Sequence, residues 1–282
     1  MRMKMARRGD AEKGRAWEKG TIPLVLLLLS SLIVCAGSGV SLSSQVDPAA
    51  EWHLLYIQIR DGVVSKQEAQ LRLRSLEGTL NQFYPGAPQG EGKKALCFPL
   101  EGYGPSAIGG KAGSGYKIQG YDFFDGNRHK GHPGHDIFIR DKDQDGLDDF
   151  TGKPVNAVSA ASGVAVSVNP GWEVLSPVRG GNYVWIYEPG RSRYYYYAHL
   201  QKIFVRIGQR VARGERIGTV GRTGTNAHPK RSPTHLHLAV LESIDGYPRL
   251  VNPYYELIQE VSSPGNQKNE KMKKPLDNQE RK

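Results

Sequence analysis

The residues of this chain that could do chemistry are histidines and one aspartate in three separate segments. In the first segment, residues 128–139, His132 and Asp136 stand four positions apart on either side of Gly134 and run into an apolar, β-like stretch. Imidazole and carboxylate are ligand types that zinc accepts, and an open zinc site takes three protein ligands and keeps a fourth position for water. Because an H-x-x-x-D pair also occurs by chance in polar loops, the pair alone is a weak signal.

Two later segments supply further imidazoles. Residues 234–240 contain His235 and His237, which alternate along a predicted strand and therefore share one face of it. Between the two pairs, residues 194–200 form a third predicted strand that carries His199 after a run of tyrosines. Three strands that each carry an imidazole or a carboxylate favour one shared site over three coincidences.

The three motifs in this order, H-x-G-x-D, Y-A-H-L and H-L-H, resemble those of the lysostaphin-like, LytM-type zinc metallopeptidases, which cut peptidoglycan cross-bridges. The resemblance covers roughly residues 95–255. It implies that the zinc ligands are His132, Asp136 and His237. It also implies that the catalytic histidines, beside the ion, are His199 and His235.

General acid–base catalysis at such a site must come from the histidines that do not bind the zinc ion. The motif H-E-x-x-H, in which a glutamate is the general base, is absent from the sequence. His199 and His235 are therefore expected to act as general base and oxyanion donor, in an order that the sequence leaves open. Tyr197, two residues before His199, either adds a hydroxyl donor or packs in the sheet as one aromatic among several.

Three functions are compatible with these motifs. The first is a zinc metalloendopeptidase that hydrolyses the peptide cross-links of bacterial peptidoglycan, with water as the nucleophile. The second is a catalytically silent LytM-type binding module that activates other wall hydrolases. Such modules lose ligands or catalytic histidines, and this chain retains all of them, which favours the enzyme. The third is a structural zinc or calcium domain for surface adhesion, which would have no use for spare histidines.

An acidic loop after the Asp136 strand predicts a second ion. In residues 141–149, acids stand at the first, third, fifth and ninth positions and glycine at the sixth, as in the first part of a calcium loop. The candidate ligands are Asp141, Asp143, Asp145 and Asp149. Because Gly152 occupies the twelfth position, where a bidentate glutamate belongs, the alternative is a solvated turn rich in carboxylates.

Composition narrows the choice of partners. The net charge of +10 suits an anionic polymer or surface, and no nucleic-acid-binding motif accompanies it. With only Cys35 and Cys97, the chain has neither a disulfide framework nor a cysteine-based metal site. We therefore expect peptidoglycan as the partner, no nucleic acid, and membrane contact only through the N-terminal segment.

The N-terminal segment predicts export. Residues 1–20 are basic, residues 22–35 are almost wholly apolar, and small residues follow, which is the order of a secretory signal peptide. The apolar run is short for a membrane span, which needs about 20 residues. Residues 1–40 are therefore a signal peptide, an uncleaved membrane anchor or, with Cys35 as the acceptor, a lipoprotein leader. Each of these places the protein in the periplasm, in the cell envelope or outside the cell.

The rest of the chain divides into three parts. Residues 41–94 are predicted to be helical, with a capping box at Ser65 and Glu68, and either pack on the catalytic domain or bind a partner. Residues 95–258 carry short β-branched or aromatic runs between glycine-rich turns. This pattern predicts a mainly β domain, a small antiparallel sheet or barrel-sandwich of the duplicated-hairpin type. Residues 259–282 are charged, basic and predicted to be disordered.

Overall fold

The computed structural model describes residues 46–86 and 96–261. The predicted leader, with Cys35, and most of the predicted tail lie outside these residues. The described helices are α1 (Pro48–Asp61), α2 (Lys66–Phe83) and α3 (Tyr254–Val261). Short 3₁₀ helices lie at Pro105–Ala107, Lys111–Gly113, Phe123–Arg128 and Pro189–Arg191. Among the described helices, none is both long enough and apolar enough to cross a membrane.

The strands of the described residues form two antiparallel sheets, one of seven strands and one of three. In chain order they are β1 (His135–Phe138), β2 (Asn156–Val158), β3 (Gly163–Asn169), β4 (Tyr183–Glu188), β5 (Arg193–Ala198), β6 (Leu200–Ile203), β7 (Arg210–Val211), β8 (Arg216–Val220), β9 (His235–Ile244) and β10 (Tyr247–Val251). The large sheet has the order β1-β9-β5-β4-β3-β7, with β10 also paired to β9, and the small sheet has the order β2-β8-β6. The predicted mainly β fold with a helical region before it is confirmed.

Both faces of the large sheet are covered by other parts of the chain. One face packs against the small sheet, with Tyr195, Tyr197 and Leu236 in the apolar core between them. The other face carries Tyr194 and Trp185, and the helical pair α1–α2 packs against part of it. A strand such as β5 is therefore buried on both sides, which explains its continuous run of aromatic residues.

Capping residues fix the start of α2 and the end of α1. The side chain of Ser65 accepts a hydrogen bond of 3.2 Å from the backbone N–H of Glu68, so the predicted cap of α2 is present. Trp52 of α1 is fully buried, and its Nε1 donates to the hydroxyl of Tyr194 on the sheet at 3.1 Å. Gly62 ends α1 in the left-handed conformation, with φ at 70°. The pair therefore packs on the sheet as part of its hydrophobic core.

Candidate active site

The candidate site lies where β1 pairs with β9 in the large sheet. Asp136 and His237 are direct partners in the register of these two strands. Nδ1 of His237 lies 3.0 Å from Oδ1 of Asp136. His132, from the turn before β1, brings Nε2 to 3.1 Å from the same oxygen. One ligand atom from each of the three residues lies within 4.8 Å of the others, so the structure brings together the three residues expected to bind zinc.

His132 is held by backbone contacts that set its protonation pattern. Its backbone pairs with that of Lys117, and Gly131 before it has a φ of 76°. Its Nδ1 lies 2.9 Å from the carbonyl oxygen of Gly115. Because a carbonyl can only accept, Nδ1 must carry a proton, and this assignment presents Nε2 toward the carboxylate of Asp136. With the proton on Nδ1, Nε2 of His132 has a lone pair and faces the carboxylate oxygen of Asp136 at 3.1 Å. Two such acceptors come this close only when a proton or a metal ion lies between them.

Three imidazoles surround one oxygen of Asp136, because Nε2 of His235 also lies 3.5 Å away. Burial by itself would raise the pKa of Asp136, but hydrogen bonds with His132 and His237 outweigh it and hold the pKa far below its usual range. The bond to Asp136 raises the pKa of His132, whereas burial lowers the pKa of His237. An ionised carboxylate among imidazole nitrogens is a donor set that fits a first-row transition-metal ion.

Two more imidazoles lie beside this group without belonging to it. Nδ1 of His235 lies 2.7 Å from the carbonyl oxygen of Pro233, and Nδ1 of His199 lies 2.8 Å from that of Thr223. Both carbonyls fix the proton on Nδ1 and leave Nε2 with a lone pair. The two ring centroids are 5.0 Å apart. The histidines that the resemblance implies to be catalytic are therefore neighbours of each other and of the ligand group.

The position of His199 depends on a backbone conformation that is rare for this residue type. His199 follows the last residue of β5 and has a φ of 65°, in the left-handed region. Gly224 packs against its ring, and a Cβ there would lie 2.9 Å from Nδ1 of His199 and 2.4 Å from the carbonyl oxygen of Arg179. Burial lowers the pKa of His199 to about 3, so its imidazole is neutral at pH 7.

Tyr197 does not contribute a hydroxyl to the site. It is 0% exposed in the core between the two sheets, and its hydroxyl accepts a hydrogen bond from the backbone N–H of Ala160 at 2.8 Å. The interpretation of Tyr197 as a donor is wrong because the left-handed turn at His199 breaks the strand alternation on which it relied. Tyr196 instead lies on the site's face of β5, with its ring 6.3 Å from that of His237.

The site opens into a cleft with a volume of about 200 Å³. Helix α1 contributes Tyr56 and Arg60 to its wall, and Arg179 contributes a second guanidinium. Nη1 of Arg179 donates to the carbonyl oxygen of His129 at 2.8 Å, which ties two walls together. These residues come from distant segments of the chain and belong to none of the three motifs, so no sequence pattern predicts them.

The structure places three of the four candidate calcium ligands together. One carboxylate oxygen from each of Asp141, Asp143 and Asp149 lies within 4.8 Å of the others. Asp145 lies outside this group, and its Oδ1 accepts a hydrogen bond of 2.7 Å from the backbone N–H of Leu147. The calcium site itself stays a prediction.

Several solved structures are similar to this chain. A zinc-containing peptidase from Vibrio cholerae is 24% identical, over 55% of this chain and 39% of that one, with a TM-score of 0.35. The catalytic domain of the antimicrobial peptidase lysostaphin from Staphylococcus simulans is 26% identical, over 45% of this chain and 77% of that one, with a TM-score of 0.30. The longer lysostaphin structure is 29% identical, over 46% of this chain and 44% of that one, with a TM-score of 0.32. This chain thus spans less than half of two of these proteins.

No curated protein matches the chain. Because the TM-scores are below 0.5, the family assignment rests on the sequence match to a family model. Residues 142–253 match the model of peptidase family M23, a segment that begins after Asp136 and contains His199, His235 and His237. The structure joins this segment to His132 and Asp136 through the pairing of β1 with β9. This segment, about two fifths of the chain, is therefore similar to peptidase family M23.

Proposed function

We propose that this chain is an exported zinc metalloendopeptidase that hydrolyses the peptide cross-links of bacterial peptidoglycan. The match to peptidase family M23 supports a peptidase that acts on peptidoglycan, or a related module. The net charge of +10 suits the anionic polymers of a bacterial wall.

Zinc is the ion that suits the ligand group best. His132, Asp136 and His237 offer two imidazole nitrogens and one carboxylate oxygen. Three protein ligands leave a tetrahedral ion one open position, as in catalytic rather than structural zinc sites. When bound, zinc supplies a Lewis acid that polarises the scissile carbonyl and lowers the pKa of water toward about 7.

The arrangement of His199 and His235 carries the proposal of catalysis. Both donate their Nδ1 proton to a backbone carbonyl, so each holds an Nε2 lone pair beside the ligand group. One Nε2 can take the proton from the attacking water, and the other, once protonated, can donate to the oxyanion. A purely structural metal site would have no need for two oriented imidazoles outside the ligand group.

The residues that line the cleft suit a peptide substrate bound beside His199 and His235. Tyr196 lies beside His237 on the sheet face, and Arg179 places a guanidinium group in the wall. Arg60 also lies in the wall, but its charge is paired with Asp61 at 2.7 Å. Stem peptides of the bacterial wall carry carboxylates, which guanidinium groups bind through paired hydrogen bonds. We therefore assign the cleft to the peptide part of the polymer.

The test is release of soluble muropeptides from purified sacculi, measured beside zinc content. We expect the zinc-loaded protein to release peptides, and His199→Ala and His235→Ala each to keep the ion. The rate in each variant should fall on the order of a hundred- to thousandfold, with little change in binding to the sacculi. His228→Ala is the matched control, because the side chain of His228 is exposed, its ring lies 5.5 Å from that of Trp172 in a tilted contact, and it belongs neither to the ligand group nor to the lining of the cleft.

The same experiment separates the enzyme from a silent binding module. A module would bind the sacculi and carry zinc but release no peptide from walls with glycyl bridges or with direct cross-links. If the zinc-loaded parent protein hydrolyses none of these wall types, the proposal of an enzyme is refuted and the silent binding module remains. Equal activity in the parent and in His199→Ala would refute the role of that residue.

Export has its own test. The full chain, tagged at its C-terminus, should be recovered from the periplasmic, envelope or medium fraction of the producing cells. Deletion of residues 2–40 should leave the protein in the cytoplasm. Recovery of the full chain from the cytoplasm alone would refute export.

A further inference from the structure

A second cluster of carboxylates lies outside the candidate zinc site, in residues 141–149, the acidic loop. One oxygen each from Asp141, Asp143 and Asp149 lies within 4.8 Å of the others. Three carboxylates this close repel one another unless a cation lies among them. Among the described residues, no lysine or arginine forms an ion pair with any of the three. Backbone N–H groups donate to Asp149, from Lys142 at 3.1 Å, and to Asp143, from Asp145 at 3.3 Å. The cluster therefore has hydrogen-bond donors but no cationic partner in the described part of the chain.

Asp141 gives an independent indication of a missing partner. Its side chain is only 6% exposed. Oδ2 accepts hydrogen bonds from the hydroxyl of Thr234 at 2.6 Å and from the backbone N–H of Gly146 at 3.0 Å. Oδ1 is buried and has no hydrogen-bond partner. A buried carboxylate oxygen without a partner is costly, and a coordinated cation is one way to satisfy it.

The chemistry of the cluster favours calcium over the ion of the neighbouring site. All of its side-chain donors are hard carboxylate oxygens, without imidazole or thiolate, and calcium takes six to eight oxygens. Gly146 has a φ of 85°, and a glycine at the sixth position provides the sharp turn of a calcium loop. Asp149 stands at the ninth position, and the glutamate of the twelfth position is missing, so the affinity should be modest, with Kd about 10⁻⁴–10⁻³ M.

The acidic loop also supports the segment that leads into the candidate active site. Thr234, which donates to Asp141, directly precedes His235 and is 1% exposed. Its carbonyl oxygen accepts from the backbone N–H of Ile139 at 3.1 Å. Nε2 of Gln144 donates to the carbonyl oxygen of Lys230 at 2.9 Å. The acidic loop is therefore hydrogen-bonded to residues 226–234, which we call the rim segment.

The rim segment is part of the cleft and has a second support on its other side. Asn226 and Ser232 line the cleft. Nη1 of Arg222 donates to the carbonyl oxygen of Ser232 at 2.6 Å, and its Nη2 donates to that of Pro229 at 3.0 Å. The rim segment is thus hydrogen-bonded to Arg222 and to the acidic loop, which holds a cluster of like charges.

We propose that the acidic loop binds one calcium ion through Asp141, Asp143 and Asp149, and that this ion fixes the rim segment ahead of His235. The ion would neutralise the repulsion that otherwise loosens the loop and would satisfy Oδ1 of Asp141. Calcium binding by the acidic loop requires neither zinc nor hydrolysis, so it can be tested independently of the proposed function.

Calorimetric titration of calcium chloride into the zinc-loaded full chain tests the site. We expect one calcium ion per chain, and weaker binding of magnesium, which resists dehydration and demands octahedral geometry. Asp143→Asn and Asp149→Asn should each weaken calcium binding at least about tenfold, since fewer charged ligands lower affinity. Both residues are exposed, and asparagine keeps their shape and an acceptor oxygen. Asp245→Asn, on an exposed turn ion-paired with Arg74, is the matched control and should bind calcium like the parent.

The coupling to the cleft is read from amide hydrogen exchange. Millimolar calcium should slow exchange in the rim segment of the parent and of Asp245→Asn, but not of Asp143→Asn. Absence of calcium binding by the parent at millimolar concentration, or equal binding by the parent and both loop variants, would refute the site. Calcium binding without any change in exchange of the rim segment would refute its structural role.

Discussion

Asp136 and His237 face each other across β1 and β9, with Oδ1 of one 3.0 Å from Nδ1 of the other. The carboxylate and the imidazole come from segments about a hundred residues apart in sequence, yet they form one donor pair because the two strands pair in this register. The same register places Phe138 opposite His235. A single strand pairing therefore brings together two members of the ligand group and one of the neighbouring histidines, while His132 comes from the turn before β1.

The ligand group predicts how metal content responds to substitution. Asp136→Ala should lose zinc affinity by more than the roughly 10–100-fold that is usual for residues outside the coordination shell. Asp125→Ala, an exposed carboxylate in the segment before His132, is the control and should keep the metal. The measurement is zinc content after dialysis of folded protein, checked by circular dichroism. Full zinc content in Asp136→Ala would contradict the assigned ligand set.

Gly134 is predicted to be required for the position of His237. A Cβ at Gly134 would lie 2.4 Å from the carbonyl oxygen of Leu238 and 2.8 Å from Nε2 of His237. Gly134→Ala should therefore displace β9 or the ring, weaken zinc binding, and cost about 1–3 kcal/mol of unfolding free energy.

Gly171→Ala is the matched control for that substitution, because a Cβ there would have no atom within 4 Å. Urea denaturation and zinc content should both be unchanged in this variant. If Gly134→Ala behaved like Gly171→Ala, the close approach of Gly134 to His237 would not constrain the site.

The packing of the helical pair predicts that it contributes to the stability of the whole domain. Trp52 is 0% exposed and stacks on Tyr194 of the sheet, with ring centroids 5.2 Å apart. Trp52→Ala should lower the free energy of unfolding by about 3–5 kcal/mol. Leu54→Ala, on the same helix but 60% exposed, should change it by less than about 0.5 kcal/mol. An equal effect of both substitutions in urea denaturation would show that the helices are dispensable to the core.

Glu77 predicts a pH dependence of stability. It is 8% exposed, and burial raises its pKa above the ordinary 4.5, against hydrogen bonds such as that from Tyr194. A carboxyl whose pKa is higher in the folded state than in the unfolded state contributes most stability below the unfolded pKa. Its contribution is lost as the pH rises through the folded pKa.

Glu77→Gln should therefore be more stable than the parent at neutral pH, and the difference should shrink as the pH falls toward 4.5. The glutamine keeps an oxygen that can accept from Tyr194. Melting temperatures across this pH range, with the exposed Glu173→Gln as control, measure the effect. A parent that is more stable than Glu77→Gln at neutral pH would give the opposite sign and contradict the prediction.

Some features followed from the sequence because they depend on neighbouring residues. Alternation places His235 and His237 on one face of a strand, and the cap at Ser65 needs only Glu68 three residues later. The order of acids and glycine in the acidic loop likewise predicts a turn in which carboxylates converge. Local geometry of this kind repeats wherever the same residues occur at the same spacing.

Only the tertiary structure decided which face of β5 meets the site and which distant segments form the cleft. Both faces of that strand are buried, so its tyrosines give no polar–apolar alternation that distinguishes Tyr196 from Tyr197. The left-handed turn at His199 also breaks the spacing rule, and Gly224, far along the chain, provides the room for it. Arg60 and Arg179 reach the cleft through packing of α1 and of the loops on the sheet. Such contacts depend on surfaces that exist only after folding, because no local pattern encodes which segments will meet.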